Sequence, residues 1–153
     1  MTLVLRPIGR LRTPFLTLAD CPRNGRIPDP PPPCTAHVFA EYAAGLASLA
    51  GFSHLIVLYW LAEATEPALT ITPPFDSAPR GVFATRAPCR PNPIGLSVAA
   101  FDGFADPLTL RLRYLDCLDN TALIDIKPYL RTTDSVPEAS MGWLGRRQPG
   151  EQA

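Results

Sequence analysis

Proline is the feature that most limits how this chain can fold. The sequence has 153 residues, and 19 of them are prolines. Proline fixes φ and has no amide hydrogen, so it interrupts helices and is confined to turns and to the edges of sheets. Pro28 and the run Pro30–Pro33 predict an extended connection, and residues 20–34 are therefore expected to form one long loop. Short strands joined by stiff loops suit such a chain better than long helices.

Three segments have the composition of β-strands. Residues 54–61 are apolar, β-branched and aromatic, residues 94–101 are apolar throughout, and residues 108–115 alternate between apolar and polar. Weaker strand predictions fall on residues 3–8, 81–85 and 122–126. Many short strands predict a mainly β protein, either a barrel or a sandwich. The absence of a G-x-G-x-x-G motif and of strand–helix alternation argues against a Rossmann-type cofactor site.

One segment is compatible with a helix. The sequence TAHVFAEYAAGLASLAGF has a periodicity that predicts a helix over residues 36–50, ended by Gly51. A strand through Phe39 followed by a helix from Glu41 fits nearly as well. Both alternatives leave the protein mainly β.

Composition narrows the class of protein. The net charge is zero, with 14 basic and 14 acidic residues, which argues against a surface that attracts nucleic acid everywhere. Only Lys127 among the basic residues is not arginine, so a local arginine patch stays open. Four scattered cysteines and two histidines do not have the paired spacing of a metal site or a disulfide framework, and no metal is expected. No apolar run is long enough to span a membrane or form a signal peptide, so a cytoplasmic protein is expected.

The most informative segment is residues 80–97, RGVFATRAPCRPNPIGLS. Pro88, Pro91 and Pro93 stiffen a loop that also carries Arg86 and Arg90. A stiff polar loop can hold a flat, polar ligand with little loss of conformational entropy. From composition alone, a rigid connection between two strands with solvated arginines is the more ordinary explanation.

The full string resembles the signature of the YaeB-like (TsaA-like, TrmO) methyltransferases, R-G-x-F-A-T-R-S-P-x-R-P-N-P-I-G-L-S, with Ala87 in place of the first serine. Other family landmarks follow in the same order. P-I-G and G-F-S-H-L stand at residues 7–9 and 51–55. The family's P-R-Q corresponds to residues 22–24, with Asn24 in place of the glutamine. The family's V-D-G-T-P-V-L-D-I-K-P-Y-L corresponds to residues 118–130, which read LDNTALIDIKPYL here. The resemblance covers roughly residues 3–131.

The resemblance implies a small β-barrel with one short helix and long proline-rich loops, which works as a homodimer and binds S-adenosylmethionine near the subunit interface. Arg86 or Arg23 suits the carboxylate of this cofactor, and Asp119 suits its ammonium group or ribose. Asn120 replaces a family glycine, which is tolerable because asparagine accepts positive φ. Ala62-Glu63 replaces a His-Gln pair of the longer relatives. The matching cofactor positions are Pro22, Arg23, Asn24, Ala62, Glu63, Arg86, Leu96, Leu118, Asp119, Asn120 and Thr121.

The resemblance also implies methyl transfer to the exocyclic amine of threonylcarbamoyl-adenosine beside the tRNA anticodon. Asp119, His54 and Tyr129 are the predicted catalytic residues, because each could take up the proton of that amine, and Glu63 is a further candidate for this role. Arg90 and Lys127 are predicted to contact the substrate. A histidine in an apolar strand is more often a core residue bonded to the backbone, and that alternative stays open for His54.

Two other functions remain compatible with the sequence. A methyltransferase acting on a small molecule would need no basic surface, and a non-catalytic module would bind S-adenosylmethionine without turnover. Longer relatives carry a C-terminal extension. Here a barrel domain is expected over residues 1–135 and a polar tail over residues 136–153, in which Met141, Trp143 and Leu144 are the residues able to dock.

Overall fold

The computed structural model describes residues 1–146. Its strands are β1 (Gly9–Arg12), β2 (Cys34–Val38), β3 (His54–Trp60), β4 (Thr70–Ile71), β5 (Arg80–Gly81), β6 (Ile94–Asp106), β7 (Thr109–Arg113) and β8 (Thr121–Pro128). The helical segments are short. They are an α-helix of four residues, α1 (Arg131–Asp134), and 3-10 helices at Leu18–Asp20, Ala40–Leu46, Val82–Ala84 and Gly142–Arg146.

Six of the strands form a closed antiparallel barrel. Neighbours follow the order β1-β2-β7-β6-β3-β8, and β8 pairs with β1 to complete the circle. β6, with 13 residues, is long enough to pair with β3 along its first half and with β7 along its second. β4 and β5 form a separate two-stranded sheet. The prediction of a mainly β protein built on a small barrel, with one short helix, is confirmed.

The interior of the barrel is apolar, and β3 shows how the sequence produces it. Along this strand the inward side chains Leu55, Val57 and Tyr59 are at most 1% exposed, while the residues between them are half-buried. The period of two that a strand imposes therefore sends every second residue into the core. Further core residues come from the other strands and from the segment after β7: Leu11, Cys34, Ala36, Val38, Ala99, Phe101, Leu110, Leu112, Leu115, Cys117 and Leu123.

The helix predicted over residues 36–50 is wrong. β2 occupies the start of this segment, with Ala36 and Val38 buried in the barrel, and β2 pairs with both β1 and β7. The free energy of that pairing and burial outweighs the high helix propensity of alanine. The alternative of a strand followed by a helix is closer to the structure, although the helix is of the 3-10 type and begins at Ala40.

Four strand predictions are confirmed and two are wrong. Residues 54–61, 94–101, 108–115 and 122–126 correspond to β3, β6, β7 and β8. Residues 3–8 precede β1 and do not form a strand, because Pro7 has no amide hydrogen to donate to a neighbouring strand. The hydrogen bonds to β8 begin only at Ile8, whose amide donates to the Leu123 carbonyl. Residues 82–84 form a 3-10 helix instead of a strand, with Val82 fully buried.

The end of the described chain packs against the segment that holds β4 and β5. The Trp143 ring stacks on Phe75 with a centroid distance of 6.1 Å, and the Arg80 guanidinium lies 4.6 Å from the Trp143 ring centroid. The indole Nε1 of Trp143 donates to the Ala84 carbonyl at 2.8 Å. Trp143 is therefore the docked residue of the tail, whereas Met141 is exposed. Residues 147–153 of the predicted tail lie outside the described residues.

Candidate functional site

One end of the barrel collects most of the sequence motifs. β1, β3 and β7 finish at this end, and β2, β6 and β8 begin there, as the pairing of Trp60 with both Ile94 and Ala122 shows. We call it the Trp60 end. The three long connections of the barrel, residues 13–33, 61–93 and 114–120, all lie there. The antiparallel topology therefore brings together three motif segments that are up to about a hundred residues apart in sequence.

A hydrogen-bonded group of polar side chains lies inside the barrel at the Trp60 end. The Tyr59 hydroxyl donates to Asp116 Oδ1 at 2.6 Å, and it lies 2.8 Å from the Ser97 hydroxyl. Tyr59 is 1% exposed and Ser97 is 7% exposed, and Asp116 is half-buried. We call Tyr59, Ser97 and Asp116 the Asp116 cluster. It joins β3, β6 and the connection after β7.

Electrostatic interactions show which groups surround Asp116. Burial raises the pKa of the Asp116 carboxyl, while the Tyr59 hydrogen bond and, more weakly, the charge of Arg86 lower it. Burial raises the pKa of the Cys117 thiol to about 12, and the charge of Asp116 contributes to this shift. The same two causes, in the same order, raise the pKa of the Cys21 thiol above its ordinary value. Arg86, Cys21 and Cys117 come from the three connections of the Trp60 end. The Asp116 cluster therefore lies where these connections meet.

The loop that holds the predicted cofactor residues Pro22, Arg23 and Asn24 contacts the rest of the site through hydrogen bonds and arginine–aromatic contacts. Asn24 Oδ1 accepts from the Arg26 amide at 2.9 Å, and the Arg23 guanidinium lies 5.8 Å from the Phe75 ring centroid. Arg26 stacks 3.9 Å from the Tyr114 ring centroid and donates to the Val98 carbonyl. These contacts link the loop to β6 and to the connection after β7.

The loop around Arg86 and Arg90 is held by its own side chains. Arg90 Nη1 donates to the carbonyls of Thr85 at 3.0 Å and Ala87 at 3.2 Å. Arg90 therefore shapes the backbone on both sides of Arg86. Leu96, which follows in β6, has its side chain outside the barrel and is 46% exposed, so it is available to a ligand.

Two further predicted cofactor segments flank the same end. Ala62 and Glu63 follow β3 directly, where the Leu61 amide donates to the Pro93 carbonyl and the Ala62 amide to the Trp60 carbonyl. Residues 118–121 form the turn into β8, which is closed by a hydrogen bond from the Thr121 hydroxyl to the Leu118 carbonyl. Asn120 adopts φ of 64° in this turn, the conformation that glycine or asparagine favours.

Asp119 is occupied by neighbouring groups. Its Oδ1 accepts from Arg12 Nε at 2.8 Å and from the Thr13 amide at 3.1 Å, and its own amide donates to the Phe15 carbonyl. These bonds tie the turn before β8 to the end of β1. Asp119 therefore has a structural role in addition to any role in binding or catalysis.

His54 and Tyr129 lie at the opposite end of the barrel. The Tyr129 amide donates to the His54 carbonyl, and the two rings meet edge to face with centroids 6.3 Å apart. His54 Nδ1 is 2.8 Å from the Ser53 hydroxyl. β8 separates this end from the turn that holds Asp119, and eight residues at about 3.3 Å each span roughly 23 Å. One subunit therefore does not bring Asp119 together with His54 and Tyr129.

Lys127 also belongs to this far half of β8. Its ammonium pairs with Asp125 at 2.8 Å, and this contact raises the pKa of Lys127. The Lys127 side chain is largely exposed, and Asp125 is half-buried. Of the two predicted substrate-binding residues, only Arg90 belongs to a connection of the Trp60 end.

Sequence reasoning missed Tyr59, Ser97, Asp116, Arg26 and Tyr114. Tyr59 looks like one more aromatic residue in an apolar strand, and Asp116 lies two residues before the motif that starts at Leu118. Their hydrogen bond exists only because the closed barrel places β3 beside the connection after β7. No sequence pattern encodes that contact.

Residues 1–146 have the features of neither a metal centre nor a membrane-spanning helix. No group of three or more His, Cys, Asp or Glu side chains in this range is arranged to hold a metal ion. In the same range, no helix has both the length and the apolar character needed to cross a membrane.

The fold and the site together define a class of protein: a small closed β-barrel whose motif-bearing connections surround a largely buried polar cluster at one end. Comparison with known proteins then identifies the family. The family model described as the tRNA-methyltransferase O N-terminal domain matches residues 10–135, and the chain belongs to this family.

Individual relatives agree with this assignment. A probable S-adenosyl-L-methionine-binding protein of Archaeoglobus fulgidus is 42% identical over 149 residues, which are 97% of this chain and 40% of that protein. The tRNA (adenine(37)-N6)-methyltransferase of Escherichia coli is 34% identical over 163 residues, which cover 95% of this chain and 66% of the enzyme. The crystal structure of TrmO from Pseudomonas aeruginosa superposes with a TM-score of 0.79 at 33% identity, over 97% of this chain and 66% of that one.

The chain thus spans less than half of the archaeal relative and about two thirds of the two bacterial proteins. The shared part contains the barrel and all three connections of the Trp60 end. The likeness to TrmO confirms the fold class predicted from the sequence.

Proposed function

We propose that this chain binds S-adenosylmethionine at the Trp60 end of the barrel and transfers its methyl group to an adenosine in tRNA. The observation that carries the proposal is the meeting of the three motif-bearing connections around the Asp116 cluster. A barrel needs only short turns to close, so long connections gathered at one end serve binding better than they serve the fold.

The residues at this end suit the chemistry of the cofactor. S-adenosylmethionine has a carboxylate, an ammonium group and an apolar adenine face. Arg86 offers a guanidinium, Asp116 a carboxylate, and Leu96 an exposed apolar side chain at the same end of the barrel. The loops that hold Arg86 and Arg23 are kept in place by internal contacts, which reduces the entropy lost on binding.

When bound, S-adenosylmethionine supplies an electrophilic methyl group, so the protein has to align the acceptor amine and remove its proton. Glu63 lies at the Trp60 end, and its carboxylate is a candidate to accept this proton. Asp119 is the other acidic candidate there, but Arg12 and the Thr13 amide hold one of its oxygens. The two carboxylates therefore differ in their freedom to take up a proton.

His54, Tyr129 and Lys127 contribute to the reaction only if a second subunit brings them to the Trp60 end, because they lie at the other end of their own barrel. A homodimer with the cofactor near its interface would do so. The exposed side chains of Leu3 and Leu5 support such an interface. They line a groove of about 390 Å³ with Trp60, Ala122 and Ile124, beside the proposed site.

We infer that the acceptor is the exocyclic amine of threonylcarbamoyl-adenosine next to the tRNA anticodon, and that the protein works in the cytoplasm, where tRNA is. The E. coli relative is named for the N6 of adenine 37. Arg90 would face the phosphates or the threonyl carboxylate of this substrate.

The test is methyl transfer from labelled S-adenosylmethionine to tRNA that carries threonylcarbamoyl-adenosine without its methyl group, followed by mass analysis of the nucleosides. Label in the methylated threonylcarbamoyl nucleoside is the expected result. Arg86→Ala should weaken cofactor binding about 10- to 100-fold, the range for a charged hydrogen bond. Arg111→Ala is the control, since Arg111 bonds the Phe104 carbonyl in the β6–β7 hairpin.

One alternative function has specific support. The archaeal relative is described by binding alone, so a protein that binds S-adenosylmethionine without turnover is a second candidate. It predicts cofactor binding that Arg86→Ala weakens, with no label transferred to tRNA. The same two measurements therefore separate the two functions.

A further inference from the structure

Asp116 is an unusual carboxylate in this barrel. It is half-buried, one of its oxygens accepts from the Tyr59 hydroxyl at 2.6 Å, and burial raises its pKa. The ion pairs found within residues 1–146 are Arg12–Asp119, Arg80–Asp76, Arg113–Asp102 and Lys127–Asp125, and none of them includes Asp116. A buried carboxylate without a cation in contact is costly, and proteins usually pair such a group.

Arg86 is close enough to act on Asp116 electrostatically, yet it makes no ion pair with it within residues 1–146. A positive and a negative side chain that interact electrostatically without forming an ion pair suit a ligand that carries both charges. An α-amino acid group is such a ligand, because its ammonium and carboxylate are attached to one carbon. A guanidinium and a carboxylate can each bind the opposite charge of that group.

We propose that Asp116, held in place by Tyr59 and Ser97, receives the α-ammonium group of S-adenosylmethionine, while Arg86 receives its α-carboxylate. The assignment rests on the proposed function, since it names the residues of that site that bind the amino-acid end of the cofactor. It replaces Asp119 as the residue expected to bind the ammonium. Asp119 pairs with Arg12 and also accepts from the Thr13 amide. Asp116 interacts with the Tyr59 hydroxyl and with its own backbone amide, and it has no ion pair within residues 1–146.

Tyr59 and Ser97 are positioning residues in this arrangement. The Tyr59 hydroxyl donates to Asp116 and is fixed on its other side by Ser97 at 2.8 Å, so the carboxylate cannot turn away into solvent without breaking a buried hydrogen bond. The barrel thereby holds the carboxylate in one orientation before the cofactor arrives.

The experiment compares ligands that differ by one charged group. S-adenosylhomocysteine has both charges, and two analogues lack either its α-amino group or its α-carboxylate. Dissociation constants are measured by calorimetry, or by competition for weak ligands, with the unaltered chain, Asp116→Asn, Arg86→Gln and the control Asp102→Asn. Asp102 pairs with Arg113 on the surface, so its variant tests the effect of losing one negative charge elsewhere.

Asp116→Asn should bind S-adenosylhomocysteine about 10- to 100-fold more weakly and should bind the analogue without the amino group as well as the unaltered chain does. Arg86→Gln should show the same pattern with the analogue that lacks the carboxylate. Asp102→Asn should change neither. Equal weakening for all three ligands, or no weakening in Asp116→Asn, would overturn the assignment.

Two measurements keep the assignment testable if a variant folds poorly. The melting temperature shows whether each variant is folded. In the unaltered chain, the preference for S-adenosylhomocysteine over the analogue without the amino group should fall as the pH is lowered and Asp116 is protonated. The groups that interact electrostatically with Asp116 are Arg86 and the Tyr59, Cys21 and Cys117 side chains. Burial keeps the last three protonated as the pH is lowered, and an arginine side chain is cationic at any such pH. Asp119 and Glu63 lie at the same end of the barrel, so the pH dependence is compared with that of Asp116→Asn, which should lose it. A preference independent of pH would contradict the assignment.

Failure of this assignment is distinguishable from failure of the proposed function. If the unaltered chain binds neither S-adenosylmethionine nor S-adenosylhomocysteine, the cofactor site itself is refuted, and the assignment with it. If it binds both and Asp116→Asn binds them equally well, only the assignment is refuted.

Discussion

At Gly95, the candidate site and the barrel core both depend on the absence of a Cβ atom. Gly95 lies opposite Tyr59 in the β3–β6 pair. A Cβ added at Gly95 would lie 2.6 Å from Tyr59 Cδ2 and 2.7 Å from Cζ, and closer still to Cε2. Ordinary contacts of this kind are 3.4–4 Å. The aromatic ring would therefore have to move by roughly 1 Å within a close-packed core.

The cost of Gly95→Ala follows from this overlap. Overpacking a core costs about 1–3 kcal/mol, and the displaced ring would also strain the hydrogen bonds of Tyr59 to Ser97 and Asp116, worth about 1 kcal/mol each. We expect a loss of about 2–4 kcal/mol in the free energy of unfolding. For a chain of this length, the melting temperature should fall by roughly 5–15 °C. Cofactor binding should weaken as well, because Asp116 loses the hydrogen bond from Tyr59 that fixes its orientation.

The assay is denaturant and thermal unfolding of Gly95→Ala, with Gly45→Ala as the matched control. Gly45 has nothing within 4 Å of an added Cβ, so its substitution should change stability by about 1 kcal/mol or less. In a Tyr59→Leu background the ring is absent, and the penalty of Gly95→Ala should largely disappear. A Gly95→Ala chain as stable as the unaltered one, or an unchanged penalty without the ring, would refute the reasoning.

Three further predictions concern other parts of the molecule. Burial raises the pKa of Asp116 above its ordinary value of 3.8, so its ionisation opposes folding. The melting temperature of Asp116→Asn should therefore rise relative to that of the unaltered chain as the pH increases above this value. Cys34 and Cys117, with pKa values raised by burial to about 11 and about 12, should not react with a thiol reagent at neutral pH until the barrel unfolds. Trp143→Ala removes the hydrogen bond to Ala84, so hydrogen exchange in residues 142–146 should accelerate while the barrel melts within a few degrees of its original temperature.

Each of these predictions has a control or a contrary outcome. A difference in melting temperature between Asp116→Asn and the unaltered chain that does not vary with pH would mean that the carboxyl is not perturbed. Cys21 and Cys89 are half-buried and should label before the two core thiols; labelling of all four at one rate would contradict the described core. Unchanged exchange in Trp143→Ala would show that the tail does not depend on the indole contact.

The sequence by itself determined the class of fold and the family. Prolines excluded long helices, alternating and apolar segments predicted β3, β6, β7 and β8, and the motif over residues 80–97 indicated the family that the comparisons confirm. These features are local, since each depends on residues that are neighbours in the chain. That is why they are readable without a structure.

The failures have a common physical cause. Residues 36–50 have the local propensity of a helix, but Ala36 and Val38 become a strand because β1 and β7 offer hydrogen bonds and a core to pack against. The order of the six barrel strands is likewise set by contacts between distant segments.

Only the tertiary structure decided which of the motif residues share a site. The direction of each strand puts Asp119 at one end of the barrel and His54 with Tyr129 at the other, although all three belong to family motifs. The closure of the barrel also brings Tyr59 of β3 against Asp116, two residues that no motif connects. A sequence records which residues are present, but the burial that perturbs Asp116 and the partner that holds it arise only when distant strands enclose the same space.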